Sequence, residues 1–181
     1  MSPAPPPAAV RDPGLRFRLG AFPGYDKGRA LAWQAAWLAV LELAFKRWWL
    51  PRRLRPSLLR LFGARVGQGV VIRDRVHLTW PWYLTIGDDV WIGREVQLLT
   101  STGITIGHDV CISQHAMIIS SGHDPSSEDF RVYDYPVTIG NHVWICTRAL
   151  VLHGVKLPDH TVVNANSVVR FGQPIPPRDG A

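Results

Sequence analysis

With 181 residues the chain has room for one domain with a real core, and a composition of 46% hydrophobic and 19% charged residues suits a soluble globular protein. Fifteen Pro and sixteen Gly are concentrated in tails and turns, which excludes global disorder. The net charge of +6 favours anionic partners such as phosphates, a membrane surface or nucleic acid, but no zinc-finger spacing and no basic stripe interleaved with stacking aromatics supports nucleic acid. The two cysteines, Cys111 and Cys146, exclude a disulfide framework and suit a reducing cytoplasm.

Residues 1–27 read as a flexible Pro-rich arm, and the opening MSPAPPPAAVRDPG lacks the apolar run of a signal peptide. Residues 28–62 read as a helical segment. RALAWQAAWLAVLELAFKRWWL is rich in Ala and Leu, Pro51 and Pro56 interrupt it, and SLLRLFG can form a further short helix. The apolar stretch Ala30–Phe45 falls short of the ~20 residues that a spanning helix needs. Lys46, Arg47, Arg52, Arg53 and Arg55 surround the pair Trp48–Trp49, so residues 30–55 suit peripheral contact with the inner face of a membrane. Trp and Leu at helical spacing more often pack against protein, so packing on the chain's own domain or on a neighbouring subunit is the first expectation.

From Val66 onward the pattern changes. An aliphatic residue recurs every sixth position: Val66, Ile72, Leu78; Ile86, Ile92, Leu98; Ile106, Ile112, Ile118; then Ile139, Ile145, Val151, Leu157, Val163 and Val169. Four places after each but the last stands a small or β-branched residue, Trp82 excepted. A period of six matches neither a helix nor an alternating strand. It fits a short flat strand plus a corner turned by Gly or Asn. Three flats make one coil of a triangular prism, and stacked coils bury a continuous aliphatic column. Two extra residues enter after Leu78, two after Leu98, and about fifteen after Ile118. The long insertion, HDPSSEDFRVYDYPV (123–137), is expected to be extruded, and loops on rigid scaffolds often carry function. The expected prism covers 63–170, with a flexible tail over 171–181.

ITIGHDVCIS and VTIGNHVWIC resemble the hexapeptide-repeat acyltransferases. Together, LLRLFGARVGQGVVI, ISQHAMIISSGHDP and PVTIGNHVWI resemble in particular the colanic-acid-type O-acetyltransferases and the related galactoside and maltose acetyltransferases, over roughly 28–170. The resemblance implies a left-handed parallel β-helix behind an N-terminal helical segment, and a homotrimer. It also implies transfer of an acetyl group from acetyl-CoA to a hydroxyl of a sugar or glycan intermediate, in making a surface or exported polysaccharide. The histidine of the loop motif carries over to His123 as general base. Trp144 carries over to a place beside acetyl-CoA and the acceptor. Asp124, directly after the base, and Thr100, at a coil edge, are read from their positions as acceptor-side residues. The cofactor track between two subunits carries over to Trp144, Cys146, Thr147, Val163, Asn164 and Arg170. Asp124 has a second reading, as the turn residue before Pro125.

Imidazole suits the proposed chemistry, because its pKa lies near neutrality and a positioned base contributes roughly 10²–10⁴-fold. Two further readings stay open. Cys146, Asn164 and Asn166 stand where the resembling enzymes carry Gly, which would fit a non-catalytic trimeric scaffold with a closed CoA groove. A zinc lyase of the γ-carbonic-anhydrase kind shares the prism, but it needs a histidine pair closer in sequence than His108–His115 or His153–His160, so no metal is expected. His108, His142 and His160 read as exposed corner residues, and His115 and His153 as structural ones. Trp91 occupies the same hexad place as Trp144, so at least one of the two packs at a surface or interface.

Overall fold

The computed structural model describes residues 25–124, 127–129 and 131–173. Of the expected arm it includes 25–27, and of the expected tail 171–173. The rest of both, with Pro125, Ser126 and Phe130 of the loop, lies outside the described residues.

Three five-stranded parallel sheets form the faces of a prism. The first face stacks Arg65–Val66, Leu84–Ile86, Ile104–Ile106, Val137–Ile139 and Lys156–Leu157. The second stacks Val71–Ile72, Trp91–Ile92, Cys111–Ile112, Trp144–Ile145 and Val162–Val163. The third stacks His77–Leu78, Gln97–Leu99, Met117–Ile119, Leu150–Val151 and Val168–Val169. The chain is thus a parallel β-helix of five coils, and the six-residue period of the sequence is the length of one face plus its corner. Each aliphatic column is in register from coil to coil, as in Ile72, Ile92, Ile112, Ile145 and Val163, all buried. Burying each such side chain contributes about 1.5–3 kcal/mol. A two- or three-residue strand could not persist alone, so stability comes from coil on coil.

The corners differ from the expectation that Gly or Asn turns them. The left-handed residues are Gly69, Asp89, Asp109, His142 and His160 at the first corner, and Arg75, Glu95, His115, Arg148 and Asn166 at the second. Left-handed backbone costs a non-Gly residue roughly 1–2 kcal/mol. It is held here because the hydrogen-bond ladder continues around the corner: Asp109 N–H donates to Asp88 O at 3.0 Å, and His160 N–H to Asn141 O at 2.9 Å. The repeated Gly serves close approach instead. A Cβ on Gly87 would lie 2.7 Å from the carbonyl oxygen of Gly107 in the next coil.

The N-terminal segment closes the first coil. Helix α1, Leu31–Val40, runs on through one π-turn, Leu41–Phe45, and helix α2 spans Leu54–Leu61. Trp37, Leu41 and Phe45, four residues apart, are completely buried. The Trp37 indole N–H donates to Leu78 O and Thr79 O at 3.2 and 2.9 Å. The buried Arg55 guanidinium donates to the carbonyls that end the first helical stretch, Phe45 O at 3.0 Å and Arg47 O at 2.6 Å. The expected packing of this segment on its own domain is therefore one face of it only. Residues 25–27 are docked as well: the Trp80 indole donates to the Tyr25 hydroxyl at 2.9 Å, and the Trp82 indole to Lys27 O at 2.8 Å. Among the described residues, no helix is long and apolar enough to cross a membrane.

Candidate active site

The extruded loop leaves the prism at its third corner, between the third and first faces, and it is more ordered than a plain loop. Ser121–His123 pairs antiparallel with Val132–Asp134, setting Gly122 against Tyr133 and His123 against Val132. Its base is stitched into neighbouring coils. The Thr102 hydroxyl donates to Ser120 O at 2.8 Å, Tyr135 N–H to Ser120 O at 3.1 Å, and Gly154 N–H to Tyr135 O at 3.0 Å. At the far end, Asp124 N–H donates to Arg131 O at 3.0 Å, and the Asp124 carbonyl accepts from the Ser127 amide and hydroxyl at 3.3 and 3.1 Å. The Asp124 carboxylate lies 3.8 Å from Arg131 Nε. Asp124 thus closes the turn that follows His123, with its carboxylate toward Arg131. His123 itself is exposed.

Beneath the hairpin sits His153. A Cβ on Gly122 would lie 2.7 Å from Tyr133 Cε2 and 2.9 Å from His153 Nε2, so glycine lets the strand rest directly on the two rings. The His153 ring centroid is 5.1 Å from that of Tyr133 and 5.8 Å from that of Tyr135. Its Nδ1 is buried with no hydrogen-bond partner among the described residues. Burial pushes its pKa down, which keeps the ring neutral near pH 7. Burial likewise raises the Tyr133 phenol and the Asp134 carboxyl. Sequence reading assigned His153 only a structural place. Its position under the hairpin depends on a pairing between distant residues that no local signal reveals.

Trp144 projects outward from the second face, half-exposed, with its indole N–H donating to the Ser113 hydroxyl at 3.0 Å. Cys111 pairs in register with Trp144 on one side and Trp91 on the other. Trp91 is half-exposed in the same column, with Arg73 over its ring at 5.9 Å. Burial pushes the thiols of Cys146 and Cys111 up, so neither is an activated nucleophile. The Thr147 hydroxyl donates to Gln114 O at 2.8 Å, and Asn164 is exposed at the same second corner. Arg170 lies instead at the third corner, where Lys156, Arg170 and Phe171 line a pocket of about 280 Å³.

Two residues are not where the site reading puts them. Thr100 is fully buried, and its hydroxyl both donates to Trp80 O at 2.7 Å and accepts from Trp80 N–H at 2.8 Å. It ties one corner to another and presents nothing to an acceptor. Val163 is a buried member of the inward column, so its side chain cannot line a groove.

The faces also separate the remaining candidates. His123, Asp124 and Arg170 belong to the third corner, whereas Trp144 belongs to the second face, and in a triangular prism that corner lies opposite that face. One chain does not bring His123 to Trp144. At the first corner, His108 Nδ1 is 2.6 Å from Asp109 Oδ2, and ligand atoms of His108, Asp109 and His142 lie within 4.8 Å of one another. The His142 and His160 rings stack at 4.8 Å. All are exposed, as expected, and they stand on a different edge from His123.

Comparison with known proteins gives these features a setting. No protein-family model matches the chain. The chain is 42% identical over 149 residues to the Escherichia coli protein named colanic acid biosynthesis acetyltransferase WcaF, covering 81% of this chain and 80% of the relative. It is 29% identical over 127 residues to the galactoside O-acetyltransferase of Escherichia coli, covering 68% of this chain and 61% of that one. Among solved structures, a hexapeptide-repeat acetyltransferase of Vibrio cholerae complexed with acetyl coenzyme A superposes with a TM-score of 0.73 at 25% identity, over 85% of each chain. A maltose O-acetyltransferase of Clostridium difficile shares the fold, with a TM-score of 0.67 at 21% identity over 84% of this chain and 83% of that one.

Proposed function

The chain belongs to the hexapeptide-repeat acetyltransferases of the colanic acid biosynthesis type, and from that membership we propose that it moves an acetyl group from acetyl-CoA to a hydroxyl of a sugar or glycan intermediate, with His123 as the general base. His123 takes the hydroxyl proton as the oxygen attacks the thioester carbonyl. The tetrahedral oxyanion is stabilised by nearby N–H or hydroxyl donors. As the carbon–sulfur bond breaks, the proton passes from His123 to sulfur, and free CoA and the acetyl ester leave.

The observation that carries this reading is the placement of His123. It stands exposed at the end of a short strand whose base is tied by hydrogen bonds to two adjoining coils, so a bulky acceptor can reach it while the backbone beneath stays fixed. Asp124 is assigned to the acceptor side. Trp144, Cys146, Thr147 and Asn164 are assigned to the cofactor track of one copy, facing the His123 edge of the next. That division follows from the opposition of the third corner and the second face, and it supports an oligomer of identical chains, a homotrimer by family resemblance. Arg170 and Lys156 offer positive charge on the His123 edge, suited to phosphates of CoA.

Calorimetric titration of acetyl-CoA into the wild type and into His123→Ala, followed by turnover with a panel of sugars, tests the reading. Comparable binding to both, with turnover only in the wild type, is the expected result. Absence of binding to either would favour a scaffold whose groove is closed by Cys146 and Asn164.

A further inference from the structure

We infer that the N-terminal cap is a docking surface for an anionic lipid bilayer. The first observation is where the charge resides. Residues 25–65 hold nine Lys or Arg and two Asp or Glu, a net of +7, while the whole chain carries +6, so the remainder is close to neutral. The positive charge of this protein is thus a property of the cap and not of the prism.

The second observation is what accompanies the charge. Beside the buried Trp37, Leu41 and Phe45, the cap carries large apolar side chains in the open: Leu31 is 78% exposed, Leu43 69% and Trp48 82%, with Trp49 and Leu61 beyond half. Along α1 and its π-turn, Gln34 and Glu42 are the polar side chains in the run, and Glu42 is engaged by Lys46 at 2.8 Å. Eight of the twelve large hydrophobic side chains that lie open among the described residues belong to residues 31–61, and such gathering marks an interaction surface.

The third observation is chemical fit. Trp48 and Trp49 line a pocket of about 270 Å³ together with Arg52, Arg73, Asp74 and the buried Arg55, whose guanidinium is already held by the carbonyls of Phe45 and Arg47, so Arg52 and Arg73 are the cations open to a ligand. Tryptophan suits the boundary between acyl chains and headgroups, and guanidinium groups suit headgroup phosphates. Open apolar side chains beside cations match a bilayer bearing negative charge. A two-fold contact of cap on cap would bring like charges together, which repulsion opposes. The inference stands apart from the chemistry at His123.

Sedimentation of the full-length protein with vesicles is the test, using phosphatidylcholine alone and phosphatidylcholine with about a third phosphatidylglycerol, at low and physiological salt. The expected result is binding to the charged vesicles at least tenfold tighter than to the neutral ones, weakened by salt. The Arg52→Glu/Arg53→Glu variant should lose at least tenfold, and Trp48→Ser/Trp49→Ser should lose binding as well, both with unchanged thermal midpoint and acetyl-CoA affinity. Equal binding to both vesicle types, or none to either, would overturn the inference. So would a fall in oligomeric mass for Trp48→Ser/Trp49→Ser, which would make this face a contact between copies.

Discussion

A general base must be open to its substrate and yet held in place, and His123, the proposed base, meets the two demands with different neighbours. Its side chain is exposed, while Gly122 before it lies flat on Tyr133 and His153 and Asp124 after it closes the hairpin. His123→Ala is expected to lower kcat by roughly 10²–10⁴-fold and to leave acetyl-CoA affinity within about twofold, read by turnover and calorimetry. His153 carries a pH dependence of its own. Burial holds it neutral in the folded chain, whereas in the unfolded chain it titrates near the ordinary value of about 6.5. As pH falls through that value the unfolded state takes up the proton first, so folding is supported above it and weakens below. His77 acts in the same direction, pushed down mainly by burial and then by Lys46. The thermal midpoint should therefore drop between about pH 7.5 and about pH 5.5, and His153→Phe should narrow that drop. An unchanged drop would mean that the ring is already charged or is reached by water.

At the scale of elements, the prism was the most legible part of the sequence. A six-residue aliphatic period has no use in a helix or an alternating strand, and every inward residue named from it is buried except Val66, which is partly covered below α2. Ile145→Ala, in the fourth coil, should cost roughly 2–5 kcal/mol in chemical denaturation. The same period placed Val163 inside the prism, so its assignment to the cofactor track conflicted with a pattern already in hand. Thr100 is a different case. Its hydroxyl answers the backbone of Trp80, twenty residues earlier, and no local pattern records that bond. The hairpin under His123 was hidden for the same reason, since SGH and VYD are too short to announce a pairing. In the cap, Pro51 marked the break between helices, whereas Pro56, expected to interrupt as well, lies in the first turn of α2, where proline is tolerated, and the role of Arg55 as the cap of the first stretch needed the fold. Arg55→Leu strands the carbonyls of Phe45 and Arg47 inside and should destabilise by about 2–3 kcal/mol, measured in urea.

At the scale of the molecule, charge and chemistry occupy different parts of one rod. The cap at the start of the prism holds the positive charge and the open apolar face, and the third corner holds His123. The resemblance made the family legible from SGHDP and VTIGNHVWI, yet it left open how His123 and Trp144 meet. The triangular section answers that they do not meet within one chain. Co-expression of His123→Ala with Trp144→Ala is the most direct measurement, with CoA release recorded against an acetylated sugar acceptor. Each variant alone should be inactive. In mixed rings, a head-to-tail interface pairs an intact His123 with an intact Trp144 about one time in four, so roughly a quarter of wild-type activity should return. Activity no higher than the sum of the two variants measured separately would contradict a site built between copies.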